Sequence, residues 1–210
     1  MTENIEVFTQ NSIRIKADKV IYIDPFQHKQ SFNDADYIFI THDHYDHFSP
    51  EDIAKVVKED TVFIVPEKMK GAAKEHVPAN GSLITVEPGQ EMDMGSFKFE
   101  TVPAYNNMKP FHPRKAGWVG YILTIDGNRI YISGDTDANK DNEKVTCDVA
   151  LIPIGGTYTM NAKEAAAFVN KIKPKVAIPT HYGSIVGSFK DANTFAENLS
   201  PDIKVEIKIK

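Results

Sequence analysis

The chain has one cysteine, no surplus of positive charge and no apolar run long enough to span a membrane. A lone Cys147 cannot form an internal disulfide, and its place beside Val149-Ala150-Leu151-Ile152 reads as a buried core thiol, not a nucleophile. The net charge of −5, with Lys and Arg scattered and no long run of them, offers no field for a phosphate backbone. Nucleic acid is therefore not an expected partner. The segment Met1-Thr2-Glu3-Asn4-Ile5-Glu6 lacks the basic and apolar regions of a secretory signal. The expectation is a soluble cytoplasmic protein that meets a small-molecule substrate and no membrane, with oligomeric state open. Hydrophobic residues make up 41% and charged residues 25% of 210 residues, which suits a globular chain with a substantial core. No shift of composition marks a boundary, so residues 1–210 read as one domain.

What the chain does have is Thr41-His42-Asp43-His44-Tyr45-Asp46-His47, three of its seven histidines with two carboxylates. The run Tyr37-Ile38-Phe39-Ile40 in front of it has the composition of a buried strand. The cluster thus falls where a strand ends and a loop begins, the place where α/β sheets bind ligands. In extended backbone His42 and His44 project to one side and can grip the same ion. Asp46 and His47 follow as the chain turns, toward a second ion. Imidazole with carboxylate and no thiolate suits one or two divalent ions, zinc first, with manganese or iron also compatible.

The plan of strand, loop acid and helix recurs. Val20-Ile21-Tyr22-Ile23 ends at Asp24, and Arg129-Ile130-Tyr131-Ile132 runs through Ser133-Gly134 to Asp135. Asp148 opens a buried run to Ile154, and Lys175-Val176-Ala177-Ile178-Pro179-Thr180 ends at His181. Helices are expected from Ser49 to Glu59, with Ser49 as cap and Pro50 at the first position, from Glu67 to Glu75, and from about Asn161. Segments Phe97 to Val102 and Val119 to Ile125 read as antiparallel strands between the two parts. This predicts an α/β fold of two similar sheets face to face with helices outside, and strand ends gathered at one edge. That edge would hold His42, His44, Asp46, His47, Asp135 and His181.

On these residues the chain resembles the metallo-β-lactamase-fold hydrolases. Within them it is similar to the branch that includes ascorbate-6-phosphate lactonases and N-acyl-phosphatidylethanolamine phospholipase D. The matching motifs are Ile23-Asp24-Pro25-Phe26, His42-x-His44-x-Asp46-His47, Gly134-Asp135-Thr136 and Pro179-Thr180-His181-Tyr182-Gly183. The resemblance implies an αββα sandwich of two mixed β-sheets. It implies His42 and His44 as ligands of a first ion, Asp46, His47 and His181 of a second, and Asp135 as the bridge. One position departs. Relatives carry a third first-site histidine within Pro-Ala-x-His, whereas here Pro103-Ala104-Tyr105-Asn106 offers Asn106 or Tyr105. His112, six residues on, is the other substitute. Unless one of these completes it, the first site is a donor short and should lose its ion faster.

The chemistry expected is hydrolysis by a metal-bound hydroxide of a small ester, lactone or phosphoester, with Asp46 orienting the water or taking its proton. Asp24, Asp43 and Thr180 are candidates for orienting the imidazoles. Lys109, Arg114 and Lys115 are candidates for a phosphate, Trp118 for a pocket wall, and the Gly155-Gly156 turn either for close approach to a ligand or for a plain turn. The alternatives are a phosphodiesterase or nuclease on the same site, and a non-catalytic metal-binding sensor.

Overall fold

The computed structural model describes residues 1–209. Its strands follow from apolar residues sorted by a period of two. In β3 (Val20–Ile23), Ile21 and Ile23 join the main core while Tyr22 faces the other way. In β4 (Ala35–Phe39), Phe39 faces the main core and Ile38 the opposite cluster. In β5 (Val57–Pro66), Ile64 faces the main core while Phe63 and Val65 face outward. Both faces of these strands are therefore apolar, which a sheet tolerates only when something covers each side.

One cover is a second sheet. With β1 (Ile5–Val7), β2 (Ile13–Lys16) and β6 (Ser82–Val86), the first sheet runs β1-β2-β3-β4-β5-β6. Its first three strands are antiparallel and β3 to β6 are parallel. The second sheet contains β7 (Glu91–Asp93), β8 (Lys98–Pro103), β9 (Val119–Ile125), β10 (Asn128–Ile132), β11 (Val149–Pro153), β12 (Val176–Thr180) and β13 (Lys204–Val205). It runs in reverse order from β13 to β7, parallel from β13 to β10 and antiparallel from β10 to β7. Between the sheets Phe39 meets Phe99 and Tyr121 edge-on, with ring centroids 5.2 and 4.9 Å apart.

Helices supply the outer covers. Helices α1 (Pro50–Val56) and α2 (Lys70–Lys74) set Ile53, Val56 and Ala73 against Tyr22, Ile38 and Phe63. On the second sheet α3 (Ala162–Ile172) buries Ala165, Ala166, Phe168 and Val169, and α4 (Phe189–Glu197) packs beside it. Ser49 caps α1 by accepting from the Asp52 amide, and Asn161 closes a capping box with Glu164. The αββα sandwich of two mixed sheets is thus as expected, with three local differences. Helix α1 stops at Val56, because Val57 already pairs with Ala35 and the Thr61 hydroxyl binds both the Lys58 amide and Ala35 O. The segment expected as one helix from Glu67 divides into a 3-10 turn and the short α2. Strands β1, β2, β6, β7 and β13, and helix α4, add to the elements anticipated.

The Tyr121 hydroxyl donates at 2.7 Å to Ile40 O, tying the second sheet to the residue that precedes the histidine cluster. The ring is buried, and Tyr121→Phe keeps its packing. The substitution should cost about 1–2 kcal/mol, a fall in Tm of roughly 2–6 °C, measurable by thermal unfolding.

Candidate metal centre

Asp24 follows β3, the Thr41–His47 segment follows β4, Asp135 follows β10 and His181 follows β12. All lie at carboxyl ends of strands, so the two sheets deliver their polar groups to one edge. Gly134 lets the edges meet: its φ is +61°, and a Cβ there would sit 3.0 Å from Thr41 Cβ. Asp24, His112 and His181 have φ of +45°, +57° and +56°, a left-handed conformation costly for residues with side chains. The fold holds all three in it where the polar groups converge.

Three sets of potential donor atoms lie within 4.8 Å of one another: His42, His44 and His112; His42, His47 and Asp135; and Asp46, His47 and His181. Asp135 sits between the first and last of these. One carboxylate oxygen is 3.4 Å from His47 Nε2, and the other is 3.3 Å from His181 Nε2 and 3.4 Å from His112 Nε2. Asp46 reaches His181 Nε2 at 3.2 Å. Nitrogens face nitrogens: His42 Nε2 is 3.1 Å from His44 Nδ1, and His181 Nε2 is 3.2 Å from His47 Nε2. His112 Nε2 and Asp135 Oδ1 are buried with no hydrogen-bond partner among the described residues. Converging lone pairs and orphaned buried donors are costly unless a cation sits among them. The residues fit divalent metal on that ground.

The imidazoles are oriented from behind by Asp24. Its carboxylate accepts from Thr41 N at 2.8 Å, and from Thr41 Oγ1, Asn11 Nδ2 and His47 Nδ1 at 2.7 Å each. Because Thr41 gives its one hydroxyl proton to Asp24, it accepts from His42 Nδ1, 2.9 Å away. Both His42 and His47 therefore carry a proton on Nδ1 and turn Nε2 to the centre. Burial, with the charged His47 beside it, holds His42 well below the usual imidazole range. Burial also opposes charge on His47, but the Asp135 and Asp24 carboxylates outweigh it and raise its pKa to about 9. Burial works against the Asp135 carboxylate too, yet His181 and His47 hold it well below the usual carboxylate range.

The imidazole that faces His42 and His44 is that of His112, and the Asn106 amide oxygen is buried without a partner among the described residues. The chain leaves β8, makes an excursion over Asn107–Phe111 and returns, and the neck is closed by Asn106 N donating to His112 O at 2.8 Å. Asn106 Nδ2 lies 3.3 Å from His112 Nδ1 and donates to Tyr158 O, so Asn106 braces the ring. Tyr105 turns away and donates to Asp141. Of the substitutes that the sequence offers for the first set, His112 is the one grouped with His42 and His44. Asp43 is exposed and the Thr180 hydroxyl has no partner among the described residues, so Asp24 alone of the three orienting candidates makes the contact. The phosphate candidates are engaged elsewhere: Lys109 with Asp137 at 2.6 Å, Arg114 with Asp141 at 3.1 Å, while Lys115 is exposed. Trp118 packs its ring 5.0 Å from His42 and 4.9 Å from His44. A Cβ on Gly155 would lie 2.4 Å from His181 O, so this glycine makes room for the His181 backbone. Burial pushes the Cys147 thiol up to about 12, which suits an inert core group.

A cavity of about 260 Å³ opens onto the centre, with His44, Asp46, Asp135 and His181 as its floor. Tyr45, Phe111, Tyr158 and Ile185 form its walls. The sandwich and the polar edge together define a metal-dependent hydrolase fold, and comparison with known proteins agrees. Residues 4–181 match the β-lactamase superfamily domain. The UPF0173 metal-dependent hydrolase of Pyrococcus abyssi is 33% identical, over 92% of this chain and 90% of its own. That of Methanoregula boonei is also 33% identical, over 92% and 89%. Among solved structures, a metal-dependent hydrolase from Parabacteroides distasonis superposes with a TM-score of 0.84 at 32% identity, covering 98% of this chain and 93% of that one. The metallo hydrolase Igni18 of Ignicoccus hospitalis shares the fold, with a TM-score of 0.77 at 22% identity over 98% and 94%. The chain belongs to the β-lactamase superfamily and is a metal-dependent hydrolase. No helix among its described residues is long and apolar enough to cross a membrane.

Asp24→Asn removes the anionic acceptor behind His47 and Thr41. It should weaken metal binding about 10- to 100-fold in a chelator competition, with the fold retained by circular dichroism. The His47 pKa of about 9 lies above its ordinary 6.5. In the metal-free protein its ion pairs therefore stabilise fully below about pH 6.5, and that contribution is lost as pH rises through about 9. A divalent ion must displace the same proton. Metal affinity should therefore rise by about tenfold per pH unit across this window while metal-free stability falls, as titration calorimetry and thermal unfolding would record.

Proposed function

We propose that His42, His44 and His112 hold one divalent ion and Asp46, His47 and His181 a second, with Asp135 between them. The protein then hydrolyses a small ester or lactone in the adjoining cavity. The observation that carries this reading is the convergence of five imidazoles and two carboxylates, with orphaned buried atoms, on the floor of an open cavity. Zinc is the first candidate for the ion and manganese or iron the next, given an all-nitrogen and oxygen donor set. When bound, such ions supply Lewis acidity and make water acidic enough to lose a proton near pH 7.

The chain's own groups do the rest. Asp46 faces both the cavity and the second set, 3.2 Å from His181 Nε2. Burial opposes its charge, but the hydrogen bond from His181 and the charge of His47 keep its carboxylate below the usual range. Asp46 therefore stays ionised and acts by accepting a hydrogen bond from the attacking water and aiming it, more than by storing a proton. Asp135 is deeper and holds the two sets of imidazoles at a common spacing. Asp24 and Thr41 keep His42 and His47 in the tautomer with Nε2 inward. Tyr45, Phe111, Tyr158 and Ile185 exclude water from one side of the substrate.

The cavity reaches His44, Asp46, Asp135 and His181, and this access for water and substrate favours an enzyme over a sensor. Purified protein should contain up to two equivalents of divalent metal and lose ester hydrolysis with a chelator, regaining it with Zn²⁺. Protein that neither copurifies with metal nor binds Zn²⁺ or Mn²⁺ would sink the proposal. In a timed chelator challenge, His112→Ala should release one equivalent at least about tenfold faster than wild type. Asn106→Ala, which removes only the brace behind the ring, should have a smaller effect.

A further inference from the structure

The cavity walls say something about what enters. Among the described residues seven large apolar side chains are strongly exposed, and three of these, Tyr45, Phe111 and Ile185, line this one cavity. Exposed apolar side chains gathered at a concave site mark a binding surface more often than scattered ones do. The walls are also organised. The Phe111 and Tyr158 rings meet edge-to-face with centroids 4.8 Å apart, and Tyr45 leans on Phe26 at 6.1 Å. The loop that delivers His112 to the metal edge delivers Phe111, the preceding residue, to the wall, so the two functions share one backbone anchor.

Cations are missing from the same surface. No lysine or arginine is among the described residues that line the cavity, and its charged floor consists of Asp46 and Asp135 with two histidines. The nearby cations are committed. Lys109 binds Asp137 and Thr159 O, and Arg114 binds Asp141. Divalent ions would match charge only at the reacting centre, and a phosphate or carboxylate group elsewhere on a ligand ordinarily meets a guanidinium or ammonium, which these walls lack.

Resting on the hydrolase reading above, we propose that the substrate is a carboxylic ester or lactone with an apolar acyl group and no anionic group away from the reacting bond. The acyl group would be seated between Phe111, Tyr158, Tyr45 and Ile185. In the reaction water adds to the acyl carbon and the bond from that carbon to the alcohol oxygen breaks. The acid leaves as carboxylate, one proton of the water ends on the alcohol oxygen and the other passes to solvent.

The test uses the full chain loaded with zinc and 4-nitrophenyl acetate, butyrate and hexanoate, with bis-4-nitrophenyl phosphate and 4-nitrophenyl phosphate as charged comparators. The expected kcat/KM rises about tenfold from acetate to butyrate, as two methylenes become buried, and exceeds that for either phosphate ester. Phe111→Ala and Ile185→Ala should reduce this gain to about twofold or less at unchanged metal content. Phe189→Ala, exposed away from this cavity, should keep it. Binding is read separately through the lone tryptophan, Trp118, which packs against His42 and His44. Hexanamide should perturb its fluorescence at concentrations at least about tenfold lower than acetamide does. If metal is bound but chain length has no effect, or the phosphate esters are preferred, the substrate assignment is overturned and the hydrolase reading stands. If metal is bound and no probe turns over, the amide comparison decides: a preference for hexanamide supports the assignment and equal binding overturns it. If no metal binds and nothing is hydrolysed, the hydrolase reading itself has failed and the assignment falls with it.

Discussion

Four hydrogen bonds converge on the buried carboxylate of Asp24, and the geometry of the polar edge depends on them. Through Thr41 the carboxylate fixes both the backbone where β4 ends and the tautomer of His42. Through His47 Nδ1 it fixes a second ring directly. One side chain thus turns two Nε2 lone pairs toward the same small volume, at no exposed surface where water can compensate. Removing it would leave both rings without the acceptor that sets their orientation.

The sandwich makes such a cluster tolerable. Strands covered on both faces bury the apolar alternation of Ile21, Ile23, Phe39 and Ile64 on one side and Tyr22, Ile38, Phe63 and Val65 on the other. That core carries the stability, so the strand ends are free to hold groups arranged against local preference. Left-handed backbone at Asp24, His112 and His181, and ring nitrogens facing one another in two pairs of imidazoles, are the marks of that arrangement. Gly134 and Gly155 supply the space that brings the two halves of the edge into register.

Much of this was legible in the residues. Long apolar runs at Val20–Ile23, Val149–Pro153 and Val176–Thr180 read as buried strands because both faces are covered, and each is one. The cap at Ser49 was readable because its chemistry is local. The three-residue strands β1 and β7 were not, since pairing with a neighbour, not periodicity, makes them strands. His42, His44, Asp46 and His47 announce themselves by spacing within seven residues. His112 does not. Its place depends on a loop whose neck is closed by one backbone hydrogen bond and whose length alters the spacing without altering the endpoint. The histidine in Phe111-His112-Pro113 was visible as a residue, but the contact that its ring makes with Asn106 was not. The cavity wall was equally hidden, because Tyr45, Phe111, Tyr158 and Ile185 come from four separate loops.

In the reading proposed above, seven side chains from both sheets form a two-ion centre that His112 completes. A zinc-edge anomalous difference map from crystals grown with Zn²⁺ tests it most directly. The account requires two peaks at one edge of the sandwich, one contacted by His42, His44 and His112, the other by Asp46, His47 and His181, with Asp135 touching both. A map with no peak there, or a peak at His42 and His44 that His112 does not contact, would contradict it.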